Sequence, residues 1–551
     1  MSFSVNKLDS PSPYSKYIND RSLIFTCSDK EKLLAEKFDV IVVGAGPIGA
    51  TIATAMARDG RKVLVVERSW DKPDRIVGEL MQPGGVEVLE KLGLGDSFNG
   101  ISAVPTSGYH VAFKKETVYI PYNIDSKTGQ RLKGVSFHHG NFLMSMRGAC
   151  KAEKNTTCLE AEVKDLLFND KGDRVLGVVI KPSHWDSNSE SSINSGLAEK
   201  EKESQHEDFS ILAPLTIIAD GINSKFRSLN SPTKKPSLKS HFVGFIIKHQ
   251  DSNPLPCPRN GHVFLTGFTP ILMYQVSDTE TRVLVDVPGT KLPNQSTGAL
   301  RKYIEAAGKS LPEAAKEAYL KSVADTKRLK VMTNSSYPSQ KIHINGAAFV
   351  GDSYNMRHPL TGGGMTVGLW DCYYLSQQLS VKNIPDLSDY EAIRKALDKV
   401  YSLRKPRALV INTLSVALYS LFSGDSEPYR NLRDACFKYF LLGGSAVTGP
   451  SGLLSGNDTS PYVLAYHFFL VALYAMYLEM KKSDSLFSIF YHFFNALYTL
   501  LVAAYIFLPL IAEERNLTHF IFTDTQELAS PRIYIKQTFY GISRIFQVRF
   551  Q

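Results

Sequence analysis

Gly44, Gly46 and Gly49 form a G-x-G-x-x-G run where a strand-like segment gives way to a helix-like one. That spacing suits a dinucleotide. The first glycine permits a tight turn, the second lets a pyrophosphate approach the backbone, and the third lets helix and strand pack closely. The helix N-terminus adds unbonded N–H groups and about half a positive charge. Glu67 follows about 20 residues later, at the end of the next strand-like run. A carboxylate there accepts hydrogen bonds from ribose hydroxyls and repels a 2′-phosphate, which points to FAD or NAD rather than NADP. A second motif is Asp220-Gly221, followed by Ser224, Lys225 and Arg227. Asp-Gly is common at ordinary strand ends, so by itself it carries no function. The third is Gly351–Gly368, GDSYNMRHPLTGGGMTVG. Asp352 at a strand end can bind polyol hydroxyls such as those of a flavin ribityl chain. Gly362, Gly363 and Gly364 build a loop with free backbone N–H groups. A helix starting near Met365 would place positive potential beside a flavin ring and stabilise its anionic reduced form.

These residues need a scaffold. Phe38–Val43 reads as a buried strand, Ala50–Arg58 as a helix and Arg61–Glu67 as a second buried strand, which makes a βαβ unit. Ser210–Ala219 (SILAPLTIIA) and Ala347–Val350 read as further buried strands. Between residues 240 and 290 the runs HFVGFIIK, VFLTG, ILMYQV and TRVLVDV predict an antiparallel sheet of a second domain. Helical patterns dominate after Met365. Residues 1–37 read as a loose tail with a short helix near Lys30–Lys37. Residues 182–209, rich in Ser and charge, read as a mobile surface insertion.

The chain has 551 residues, 43% of them apolar and 21% charged, which excludes a mostly disordered or collagen-like chain. A mean hydropathy of −0.13 excludes a polytopic membrane protein. The net charge of +9 is small for this length and no basic block stands out, so no nucleic-acid partner is expected. Cys27, Cys150, Cys158, Cys257, Cys372 and Cys436 are scattered, which argues against a disulfide framework and against a metal site. Near the C-terminus, Tyr462–Met480 and Leu486–Leu510 are apolar runs joined by a short polar loop. Nineteen helical residues cover about 28 Å, close to the hydrocarbon thickness of a bilayer. They predict an antiparallel hairpin, spanning the membrane or lying partly embedded. His467, Glu479, His492, Asn495 and the many tyrosines weaken the spanning reading, and a buried helical pair is the alternative.

The three motifs in this order resemble the FAD-dependent group A monooxygenases. The stretches Asp74–Gly85 (DRIVGELMQPGG), Phe137–Arg147 (FHHGNFLMSMR), Ser240–Phe245, Asn355–Gly368, Val416–Phe422 and Ala435–Gly444 resemble the squalene monooxygenase (squalene epoxidase) family, in its fungal form, over about residues 38–510. Asn141 departs from the arginine usual in that family. The resemblance implies an α/β fold: a Rossmann-type FAD-binding domain, a β-sheet substrate domain and a C-terminal helical membrane-associated region. The expected division is an N-terminal tail over 1–37, FAD-binding segments over 38–108, 147–235 and 341–400, substrate-sheet segments over 109–146 and 236–340, a helical region over 401–460, a membrane hairpin over 461–510 and a tail over 511–551.

By the same resemblance, Pro47 and Ile48 lie in the dinucleotide turn, and Glu67 and Arg68 meet the adenosine ribose and its surroundings. Arg75, Leu80, Arg147 and Val163 line the FAD site, joined by Asp352 and Met365. Tyr109 matches a tyrosine that acts near the flavin through a hydrogen bond. Gly44, Gly46, Gly49, Asp220, Gly363 and Gly364 complete the expected cofactor set. His138, His139 and His358 are read as structural hydrogen-bonding groups. The implied reaction is epoxidation of squalene to (S)-2,3-epoxysqualene with O2 in sterol (ergosterol) biosynthesis. Electrons would come from NADPH through cytochrome P450 reductase. The implied setting is the cytosolic face of the endoplasmic reticulum membrane, against membrane lipid, or lipid droplets. Squalene has no polar handle, so its pocket is expected to be long and apolar, between the 240–290 sheet and the helices around 408–422. A membrane-associated FAD-dependent isoprenoid reductase is the nearest rival; it would consume no oxygen.

Overall fold

The computed structural model describes residues 8–76, 78–114, 116–181, 208–250, 253–342, 344–424, 426–483 and 485–514. Most of the expected insertion, residues 182–207, and residues 515–551 of the expected tail lie outside them.

Three short runs rich in Val, Ile and Leu, too apolar to face water, lie at the centre of a parallel sheet. Its strand order is Ile24–Phe25, Thr156–Glu160, Val63–Glu67, Val40–Val43, Leu215–Ile218 and Ala347–Phe349. Helix Pro47–Arg58 follows strand Val40–Val43, and proline at its first position is prearranged for a helix start. Its Ala50, Ile52, Ala53 and Met56 are buried. Ser210–Ala219 is not one strand. Phe209–Leu212 joins an antiparallel sheet with Glu162–Phe168 and Val175–Lys181, and Leu215–Ile218 enters the parallel sheet. Pro214 lies between them and has no N–H to donate to a ladder, so the run changes sheet there.

The second large sheet runs Lys330–Ser336, Ser237–Lys248, Glu280–Pro288, Pro270–Ser277, Gly261–Leu265, Gly108–Phe113 and Glu116–Pro121. One face packs on helices Ala299–Gly308 and Glu313–Asp325 through Val243, Phe245, Val283 and Val285. The alternate residues, among them Phe242, Leu272 and Leu284, form the other face.

Residues 8–35 are not a loose tail. Ile24 and Phe25 pair with Cys158 and Leu159 as the edge strand of the parallel sheet. Helix Lys30–Ala35 buries Leu33. Lys151 donates to the carbonyls of Tyr17, Ile18 and Asp20. These pieces are too short to show a period or to hold themselves, and tertiary contacts fix them.

Helix Tyr390–Ser423 packs on helices Gly364–Gln378 and Glu427–Leu441. Helices Pro461–Met480 and Leu486–Glu514 follow as an antiparallel hairpin. Pro461–Met480 and Ser488–Leu508 each have a mean hydropathy of 1.5, long and apolar enough to cross a membrane. Tyr462, Tyr466, Leu473, Tyr477, Phe490, Tyr491 and Phe493 on them are exposed.

Candidate functional site

The glycine turn is sterically required. Gly44 has φ +97°, and a Cβ there would lie 2.8 Å from the Ala219 carbonyl oxygen. A Cβ on Gly49 would lie 1.9 Å from the Gly44 oxygen. Gly46 is different: its Cβ would meet nothing within 4 Å, so that side of the turn is open. Glu67 reaches back to the turn, where Oε2 accepts from the Ala45 N–H at 2.8 Å. Buried Arg147 donates through Nε to the Ala45 carbonyl (2.9 Å) and through Nη1 to that of Asp71 (3.0 Å). Its Nη2 is 3.6 Å from Glu67 Oε2.

This turn opens on a cavity of about 1380 Å³ that runs between the two large sheets. Gly44, Gly46, Pro47, Ile48, Glu67, Arg68, Arg75, Leu80, Tyr109, Arg147, Val163, Asp220, Asp352, Gly364 and Met365 all line it. Gly49 and Gly363 do not. Gly49 packs helix on strand, and a Cβ on Gly363 would press on Ile411 of the long helix at 2.5 Å. The substrate-sheet side of the cavity is largely apolar, with Val263, Leu272, Leu284, Met332, Ile76 and Leu360. The expected second wall around 408–422 is absent from the lining. Leu418, Tyr419 and Phe422 pack instead against the same apolar cluster from outside, because Leu360 and the loop around it lie between that helix and the cavity.

Tyr109 is buried, edge-on to Tyr122 with ring centroids 5.6 Å apart. Its hydroxyl lies beside Tyr122 and Gln82 without a well-formed hydrogen bond to either, and burial lifts its pKa well above that of an ordinary phenol, so it remains protonated. Asp352 is exposed to the cavity, which is itself enclosed by the fold. That enclosure raises its carboxyl pKa, with Arg357, Arg227 and Arg75 pulling the other way. Burial likewise raises the Asp220 carboxyl pKa, and Asp220 Oδ1 has no hydrogen-bond partner.

The squalene epoxidase family model matches residues 212–491, and a Rossmann-like NAD(P)-binding model matches residues 42–72. Squalene epoxidase ERG1 of Candida albicans is 40% identical over 87% of this chain and 99% of its own length. The chain belongs to the squalene epoxidase family. The mouse squalene monooxygenase is 43% identical over 81% of this chain and 72% of its own length. Among solved structures, PqsL of Pseudomonas aeruginosa, a probable FAD-dependent monooxygenase, aligns with a TM-score of 0.53 at 18% identity. It covers 71% of this chain and 97% of its own, a likeness of fold.

The residues of this family member fit FAD. The open side of Gly46, the glycine-built first turn of helix Gly364–Gln378 and the unpartnered Asp220 Oδ1 all face or border the cavity. They supply N–H donors and acceptors suited to a pyrophosphate and a polyol chain. Among the described residues no cluster of His, Cys, Asp or Glu could hold a metal.

Sequence reasoning missed Glu79, Gln82, Tyr274 and Arg282. Arg282 donates to both oxygens of Glu79 at 2.7 and 2.9 Å, and both residues are buried. Tyr274 donates to Glu79 at 3.4 Å. Gln82 accepts from Tyr122 and donates to the Thr361 carbonyl. The partners lie far apart in sequence, so spacing holds no trace of them. A glutamate inside the DRIVGELMQPGG stretch was the sole hint. The three histidines are hydrogen-bonded: His138 to Glu280, His139 to the Gly78 carbonyl and His358 to Ser240. Asn141 donates to the Ile101 carbonyl at 3.4 Å.

Proposed function

We propose that this protein epoxidises squalene, the reaction for which its relatives are named, that it does so with O2 on FAD, and that it acts in sterol biosynthesis. One observation carries the reading: a single cavity joins a dinucleotide turn to the apolar face of a substrate sheet. Bound FAD supplies the two-electron activation of O2 and the transfer of one oxygen atom to an alkene.

The chain's own part is binding, orientation and dryness. Gly46, Pro47 and Ile48 take the pyrophosphate at the start of their helix. Glu67 and Arg68 take the adenosine ribose and its surroundings, and Asp352 accepts from the ribityl hydroxyls. Arg75, Leu80, Arg147, Val163 and Asp220 wall the cofactor in, and the Gly364–Met365 helix start faces the flavin ring. Tyr109 lines the cavity and is protonated, so its hydroxyl is available to donate toward the flavin side. Squalene offers no polar group, so Val263, Leu272, Leu284 and Met332 orient it by shape alone. The same apolar wall keeps water from the reacting atoms.

Electrons come from NADPH through cytochrome P450 reductase, consistent with a single dinucleotide fingerprint near the N-terminus and a net charge of +9 toward an acidic partner. Turnover with the reductase then falls as salt rises; a flat response opposes steering. The exposed aromatic hairpin supports attachment to the endoplasmic reticulum membrane, on the cytosolic face, or to lipid droplets, where a lipid-dissolved substrate is at hand. The deciding experiment incubates detergent-solubilised protein with FAD, NADPH, reductase, squalene and oxygen-18. A 2,3-epoxide carrying one labelled oxygen is expected. A product with two added hydrogens and no label would assign a reductase instead.

A further inference from the structure

The cavity face of the substrate sheet carries two polar knots with an apolar floor between them. Strand Glu280–Pro288 holds both, Arg282 in one and Asp286 in the other, with Leu284 between. They stand four positions apart along the strand, about 13 Å. The first knot, Glu79–Arg282–Tyr274, ties the sheet to the Gly78–Leu80 loop. None of the residues of the second lines the cavity, and it has no part in the chemistry above.

It consists of Ser240, Asp286 and Asn334 on three adjacent strands, together with His358, all at most 1% exposed. His358 Nδ1 accepts from the Leu360 N–H at 3.2 Å, so the ring proton sits on Nε2. Nε2 donates to Ser240 Oγ at 2.8 Å, and Ser240 passes its own hydrogen to Asp286 Oδ1. Asn334 donates to Ser240 Oγ (2.9 Å) and to Asp286 (3.3 Å). The imidazole also stacks on Tyr419 of the long helix, centroids 4.1 Å apart, and Ser415 donates to the His358 carbonyl. Serine, histidine and aspartate together invite a hydrolytic reading. Burial rules it out, and so does the order: here serine lies between the histidine and the carboxylate, whereas a nucleophilic triad needs histidine in the middle.

The position is informative. His358 immediately precedes Pro359, Leu360, Thr361, Gly362 and Gly364, which line the cavity. One ring nitrogen caps that turn and the other grips the sheet that forms the substrate floor. We infer that His358 is a positioning residue for oxygen transfer: its hydrogen bond to Ser240 sets the Pro359–Gly364 loop against the substrate floor.

The inference rests on the proposed epoxidation. With the alkene in place, O2, two electrons and two protons yield epoxide and water. With the alkene displaced, the same reactants yield hydrogen peroxide. Misplacement by about 1 Å costs up to about 100-fold in such a step.

Two substitutions separate the two nitrogens of the ring. His358→Asn keeps an acceptor for the Leu360 N–H but does not reach Ser240. His358→Gln reaches Ser240 but releases Leu360. Ser240→Ala removes the hydrogen bond to the sheet, leaving only the 3.5 Å approach of Nε2 to Asp286 Oδ1, without touching the loop. Full-length variants with FAD, reductase, NADPH and squalene are compared by epoxide formed per peroxide, by the visible spectrum of bound flavin and by hydrogen exchange at Leu360. His358→Asn and Ser240→Ala should lower the epoxide-to-peroxide ratio about tenfold, shift the flavin spectrum and leave the squalene KM within about twofold. His358→Gln should keep the ratio and lose Leu360 protection. Wild-type ratios in both His358→Asn and Ser240→Ala overturn the inference. So does failure of both to fold, since the network would then serve stability alone. If the wild type makes no epoxide, the proposed function itself fails, and the flavin spectra still report whether the loop has moved.

Discussion

Three glycines in one turn do different physical work, and substitution should separate them. Gly49→Ala drives a methyl to within 1.9 Å of the Gly44 oxygen, so helix and strand must part. Overpacking of this kind costs about 1–3 kcal/mol, and FAD-free thermal melts should show it directly. Gly46→Ala meets nothing in the protein, so its melt should match the wild type while FAD titration shows weakened binding. Asp352 follows a different logic. Its folded pKa is raised above the unfolded value of 3.8, so above that pH the folded FAD-free protein holds more proton than the unfolded chain. Its contribution to stability therefore declines as pH rises through the window just above 3.8. Asp352→Asn should raise the melting temperature of FAD-free protein at pH 7. It should also weaken FAD by about 10-fold or more, the worth of a hydrogen bond to a charged group. Tyr109→Phe removes a buried hydroxyl without a well-formed hydrogen bond in the protein, so the fold should hold while activity falls by about 5- to 100-fold, one lost hydrogen bond. An unchanged rate would remove Tyr109 from the mechanism.

The hairpin is the element whose placement bears most on function. It does not project away from the body. Leu464 and Phe507 pack on Leu409, Val410 and Leu453, and further along Ala472, Ala475 and Ala503 pack on Leu421, Leu432 and Ala435. Near the turn, Asn495 bonds both Glu427 and Glu479, and His492 bonds Glu479. Helix Glu427–Leu441 therefore accompanies the hairpin to its tip, and that helix carries Arg430, Arg433, Asp434 and Lys438. Submerging it would place several charges in hydrocarbon, each at a cost of about 2.5–3.5 kcal/mol. The hairpin should rest with one aromatic face in the lipid and its turn on the side of the flavin domain. In sealed microsomes, Ser483→Cys should react with an impermeant maleimide added to that side. Protection until the membrane is opened would indicate spanning helices.

At the scale of the whole molecule, the buried Glu79–Arg282 pair joins flavin-side chain to substrate sheet across the cavity wall. Removing one partner strands a buried charge, which costs about 3–5 kcal/mol, whereas replacing both with apolar groups is often neutral. Arg282→Met should destabilise by that amount and loosen FAD and squalene binding together. Adding Glu79→Leu should restore most of the stability but not the coupling of the two ligands, as paired FAD and substrate-analogue titrations would reveal.

Much of this was written locally. The G-x-G-x-x-G run, Glu67, Asp352 and the glycine loop stand next to the strands and helices that present them, so short-range pattern was enough to find them. Hairpin length and hydrophobicity are equally local. The ends of the elements were less legible: Pro214 sends one apolar run into two sheets, and residues 8–35 gain their order only from the sheet and helix they meet. Tertiary structure alone decided the rest. Gln82 with Tyr122 and Thr361, Arg282 with Glu79, and His358 with Ser240, Asp286 and Asn334 are partners brought together by the fold across long stretches of chain. Periodicity reports which face of an element is buried; it does not report which buried polar group it will meet, because that depends on how the sheets stack.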